Sequence, residues 1–153
     1  MASNDNSLAR SLHDLGLAAW FGGSLMGAVG VNGAAAQVEE PKQRLRVANA
    51  GWNRWTPVNL AGIAAHLAGG AVLLAANKGR VATQQGVAQA TTVKTGLTVL
   101  ALGATAWSRA LGAKLNQAGE VPAEGGTDPS GDTPEDVARP SSSSSSSSGA
   151  SRC

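Results

Sequence analysis

An all-helical membrane bundle is the fold class this sequence predicts. Three stretches predict it. Leu15–Ala36, LGLAAWFGGSLMGAVGVNGAAA, carries no formal charge. Val58–Asn77 repeats that character, and Thr95–Trp107 is a third apolar run. At about 1.5 Å per helical residue, roughly 20 apolar and small residues cross a hydrocarbon core about 30 Å thick. The expected architecture is three antiparallel transmembrane helices, a short interfacial helix after the first, and a disordered C-terminal tail.

The bulk numbers conceal this pattern. Mean hydropathy is −0.05 over 153 residues, because a polar tail offsets an apolar front. Residues 8 to 115 form a membrane-grade block, and 116 to 153 do not. The formal net charge is +2. That is too small and too dispersed for nucleic-acid binding, and no nucleic-acid motif accompanies it. One cysteine, Cys153, excludes an internal disulfide and matches no metal-site spacing.

Taken in order, residues 1 to 7 are polar and expected to be disordered. Ser7 or Ser11 can cap the first helix, whose span is expected at about 15–36. A signal peptide is the rival reading, because Ala34 and Ala36 form an A-x-A-like site. The run exceeds an ordinary signal core, and Asp5 and Asp14 cancel the charge of Arg10 and the amino terminus. The retained span is therefore preferred.

Pro41 can open a short helix in the first connection, with Lys42, Arg44 and Arg46 among headgroups. Trp52 and Trp55 close that connection and fit an interfacial aromatic belt. Thr56-Pro57 can start a second span, expected at about 57–77. Lys78, Gly79 and Arg80 stop it. The third span, at about 91–111, requires Lys94 and Arg109 to snorkel towards opposite interfaces. The segment 116–153 is rich in Gly, Pro, Ser and acidic residues and ends in a low-complexity serine run. It has too little apolar surface to offset the entropy of ordering.

Three spans place the N-terminus and the 77–90 connection on one side of the bilayer. Lys42, Arg44, Arg46, Arg54, Arg109 and Lys114 lie on the other, against Arg10, Lys78, Arg80 and Lys94. The positive-inside rule then puts the tail in the cytoplasm of a multi-pass protein of the cell membrane.

Lipid supplies no hydrophobic drive between spans, so small residues must let backbones approach. Gly23, Gly27 and Gly30 mark such a stripe on the first span, with Gly16 and Ala34. Gly62 and Gly69 mark one on the second, and Gly96 and Gly103 one on the third. None of these spacings makes a dinucleotide site. His66 falls mid-span on the Gly62–Gly69 face. It is expected to be hydrogen-bonded to a neighbouring helix through Ser24 or Thr98. Asp14 and Lys94 each lie near a helix start on the same side, so they are expected to pair and to dock the first and third helices. Asn32 and Asn59 suit interhelical hydrogen bonding near the opposite interface.

The segments LHDLGLAAWFGGSLMGAVGVNGAAA, ANAGWNRWTPVNLAGIAAHLAGG and VKTGLTVLALGATAWSRALG resemble a group of small actinobacterial integral membrane proteins. The resemblance covers roughly residues 12 to 112. It implies an integral membrane protein and carries no activity and no functional residues.

No nucleophile–base arrangement, phosphate loop or metal cluster is legible, and no cofactor is implied. The expected function is non-enzymatic: an accessory or interaction subunit whose partners are the bilayer and another membrane protein or a second copy. The alternative is a small oligomeric transporter or channel using His66 and Lys94.

Overall fold

The computed structural model describes residues 2–118 together with Ala123 and Gly131. The tail expectation otherwise falls outside the described residues. The secondary structure of residues 2–118 is helical. Helix α1, Ala2–Met26, passes into a π-helical turn at Gly27–Val31 and then α2, Asn32–Ala36. Helix α3 covers Pro41–Ala76, α4 Lys78–Thr83 and α5 Gln85–Ala118. Two helical stretches, Asn6–Ala36 and Pro41–Ala76, are long and apolar enough to cross a membrane. Helix α5 is long enough at 34 residues, but Lys94, Arg109 and its threonines leave it short of that apolarity.

Three boundaries differ from expectation. The first helix begins at Ala2, ahead of both candidate caps. Residues 2–7 contain no Gly or Pro to stop it, and a cap stabilises a helix start without being required for one. The separate interfacial helix does not form either. Residues 41–55 and the second apolar run are one helix of 36 residues with Pro57 inside it. Proline denies α3 one N–H, but the neighbouring Thr56 hydroxyl bonds back to the Trp52 carbonyl at 2.8 Å, a local arrangement that accompanies tolerated helix prolines. Finally, the last helix continues to Ala118, past the expected break at residue 115.

A tight turn at 37–40 reverses the chain. Gln37 and Val38 N–H groups bond to the Ala34 and Ala35 carbonyls. Arg44 Nε donates to the Val38 carbonyl at 2.7 Å. Pro41 occupies the first turn of α3, and the Glu40 side chain caps it by accepting from Lys42 N–H. These are ordinary helix-start devices. They set α1 and α3 antiparallel.

The seam between them follows a spacing of three and four. On α3 it runs through Leu45, Ala48, Trp52, Trp55, Asn59, Gly62, His66 and Gly69. On α1 and its extension it runs through Ala9, His13, Gly16, Trp20, Gly23 and Gly27. All are buried or half-buried. This is the periodicity of a coiled-coil seam. Bulk on one helix meets glycine on the other: Trp55 fills the place a Cβ at Gly23 would take, and Trp52 does so at Gly27.

The π turn changes which residues face α3 beyond it. A uniform helix would turn Gly30 and Ala34 inwards. Instead Ala34 is exposed, Ala35 is fully buried at 0%, and the nearest side chain to Gly30 is Met26 of its own helix. The wider turn displaces the inward face by one residue. Gly30 is therefore not a packing residue of the α1–α3 seam.

The register also staggers the two charge-free runs. Asp14 and Glu39 bound the first, and Arg54 and Lys78 the second. Gly23 lies against Trp55, Gly16 against Gly62, and Gly69 against Ala9 and His13. The runs therefore lie side by side over only about eleven residues, roughly 16 Å at helical rise.

Candidate functional site at the helix crossing

The closest approach of the two long helices is built by Gly16 and Gly69. A Cβ at Gly16 would fall 2.5 Å from the His66 nitrogen and 2.6 Å from the Gly62 carbonyl. A Cβ at Gly69 would meet the Ala9 carbonyl and sit 2.6 Å from the His13 nitrogen. Only hydrogen side chains fit there, because the obstructing atoms are main-chain atoms.

Each glycine stands three residues after a histidine, His13-x-x-Gly16 on α1 and His66-x-x-Gly69 on α3. The antiparallel packing relates the two motifs by an approximate twofold. His13 Nδ1 lies 2.9 Å from the His66 carbonyl, and His66 Nδ1 lies 3.0 Å from the His13 carbonyl. A carbonyl only accepts, so Nδ1 carries the proton in both rings. The rings stack with centroids 4.0 Å apart and planes 19° apart.

In a neutral ring with Nδ1 protonated, Nε2 is an acceptor. The Thr98 hydroxyl of α5 lies 3.5 Å from His66 Nε2 and can supply the donor. Trp20, on the same seam, tilts over His66 at 6.1 Å. Its indole N–H donates to the Thr105 hydroxyl at 3.1 Å. These two side-chain contacts attach α5 to the crossing. His66 and Trp20 are 3% and 4% exposed.

The structure brings some of the residues singled out from the sequence together and leaves others apart. Gly23, Gly27, Gly62, Gly69 and His66 lie on the α1–α3 seam, and Trp52 and Trp55 point into it. Asn32 accepts from Trp52 Nε1 at 2.9 Å, an interhelical bond between α2 and α3. A Cβ added at Gly96 or Gly103 would meet nothing within 4 Å, so neither is a close-approach position among the described residues. Asp14 and Lys94 are both exposed, and no ion pair joins them among the described residues. Lys94 shares the stripe of α5 that carries Thr98 and Thr105, but it stands one turn before the first of these contacts and is exposed there.

Asn59 also departs from expectation. It is 9% exposed and its Oδ1 has no hydrogen-bond partner among the described residues. An amide oxygen only accepts, and the N–H groups inside a neighbouring helix are committed to that helix's own carbonyls.

His13, which the sequence does not single out, is the residue that pairs with His66. The repeated His-x-x-Gly spacing was the available signal, and its meaning depends on the register that brings the two copies together. Among the described residues no group of three or more His, Cys, Asp or Glu side chains is placed to hold a metal. Comparison of the chain with protein families, curated proteins and solved structures finds no match.

Proposed function

We propose that this protein is an integral protein of the cell membrane acting as a non-enzymatic accessory subunit. In this reading α1 and α3 form the membrane hairpin, and α5 is the third span of a bundle offered to a partner. The staggered register carries the proposal. One hydrocarbon layer about 30 Å thick cannot contain both charge-free runs without admitting Asp14 or Arg54. Both side chains are exposed. A charge at membrane depth costs about 2.5–3.5 kcal/mol at the centre of a lone helix unless it is covered or reaches the interface. A neighbouring protein can cover it.

Helix α5 supports the same conclusion. Leu100 and Trp107 are 71% and 62% exposed, and its two mid-helix glycines meet open space. That surface combines apolar side chains with close-approach positions, the composition of interfaces between membrane helices. In this reading the charge balance of the connections favours a cytoplasmic tail.

Cysteine-free protein carrying a photocrosslinker at Leu100 provides the test. Crosslinking to a defined membrane partner, or to a second copy, is expected in native membranes. A strictly monomeric protein that crosslinks only to lipid would refute the subunit reading. Recovery from cells without detergent would refute the membrane reading itself.

The stacked histidines favour a second reading, proton-coupled transport through an oligomer. It now centres on His13 and His66, since Lys94 lies apart. Unchanged proton flux in proteoliposomes after His66→Ala would exclude it.

A further inference from the structure

We infer that the groove beside Trp52 and Trp55 binds one anionic phospholipid, with an acyl chain against its walls and the phosphate at Arg54. This inference rests on the membrane reading above. The groove lies between the π turn and the middle of α3. Gly23, Met26, Gly27, Val31, Trp52 and Trp55 line it, and Arg54 stands at its margin. Its volume is about 390 Å³, within the usual range of small-molecule clefts, about 300–1,000 Å³.

Chemistry selects the occupant. The wall is apolar apart from Arg54, so it suits a hydrocarbon chain. Glycines at 23 and 27 are what make room for the two indoles against α1. The π turn forms one side, and such turns recur at functional sites because they reshape a helix surface locally.

Arg54 supplies the sign. It is exposed and belongs to the end of the hairpin that carries Lys42, Arg44 and Arg46. By the charge rule this end faces the cytoplasmic leaflet, where anionic lipids attract basic residues by about 1 kcal/mol each. A guanidinium binds a phosphate diester through two parallel N–H groups, which a choline headgroup partly neutralises.

Tryptophan fluorescence in vesicles tests the proposal with the full chain. The vesicles are phosphatidylcholine containing a minor fraction of either phosphatidylglycerol or phosphatidylcholine with brominated chains. Brominated phosphatidylglycerol is expected to quench more strongly than brominated phosphatidylcholine at equal fraction. Arg54→Gln should abolish that excess without changing helicity by circular dichroism. The double variant Trp52→Phe, Trp55→Phe should also abolish it, because the remaining indoles at 20 and 107 lie elsewhere.

Equal quenching by the two lipids would overturn the proposal. So would an excess that survives Arg54→Gln, or one that persists in the double variant. Failure of the protein to enter vesicles at all would instead refute the membrane reading.

Discussion

His13 and His66 each donate Nδ1–H to the other's main-chain carbonyl, at 2.9 and 3.0 Å, across two antiparallel helices. The exchange fixes the rotation and the axial position of α1 on α3 together. Neither bond survives a shift of one residue along either helix.

Removal of either ring should therefore loosen the pair. His66→Ala is expected to destabilise by about 1–3 kcal/mol, the range for losing a buried hydrogen bond and leaving its partner unsatisfied. His13→Ala should cost less, because His13 is only half-buried. The double variant should reveal a coupling of about 0.5–3 kcal/mol between the contacting rings. Thermal unfolding in detergent measures all three. Strict additivity would mean that the exchange contributes no coupling.

Glycine substitutions should divide by location. Gly69→Ala drives a methyl into the Ala9 carbonyl and should lower stability by more than about 1 kcal/mol, exceeding the propensity that alanine gains over glycine. Gly103→Ala has open space around it and should be neutral or stabilising by up to about 1 kcal/mol. A large loss at Gly103 would show that a partner already occupies that face.

Asn59 should be dispensable for the hairpin. Its buried Oδ1 has no partner among the described residues, and such a group costs about 1–3 kcal/mol. Asn59→Ala should therefore leave stability unchanged or raise it. A marked loss would reveal a bound partner for that amide.

Detachment of α5 should follow from one atom. Trp20→Phe keeps the buried ring but deletes the donor to Thr105. The expected cost is about 0.6 kcal/mol, typical of interhelical side-chain bonds in membranes. Faster hydrogen exchange should appear in α5 while α1 and α3 remain protected. Uniform exchange along the chain would contradict this division.

Asp14→Asn and Lys94→Gln should each change stability by no more than about 0.5 kcal/mol, the usual effect of surface substitutions. Non-additivity in the double variant would restore the ion pair expected from the sequence.

Much of the helix pattern was legible because composition acts locally. Charge-free length marked the two apolar stretches, and Asn77 ends the second where expected, bonding back to Leu73. For His66 the sequence offered Ser24 or Thr98 as a hydroxyl partner, and the structure brings Thr98 to its Nε2. What escaped depends on phase and register. Pro57 looks like a helix start, yet the helix runs through it. Gly30 belongs to the α1 stripe only if the turn stays uniform. His13 gains its role from a partner 53 positions away, and nothing near His13 specifies which residue that is. Asp14 and Lys94 fail to meet because helix order says which ends are level, not which surfaces touch.

The π turn at Gly27–Val31 also gives the first helical stretch slack in its length. Such a turn holds one residue more than an α turn, so deleting one residue there would restore ordinary winding and leave the inward face beyond it in place. Asn32 would stay beside Trp52, and Ala35 would keep its enclosed position. The reversal at 37–40 and the start of α3 would be undisturbed. Deleting a residue between Gly16 and Gly23 has no such outlet: it would swing Gly23 and Gly27 by about 100° away from Trp55 and Trp52. Tolerance of a lost residue should therefore be confined to the π turn.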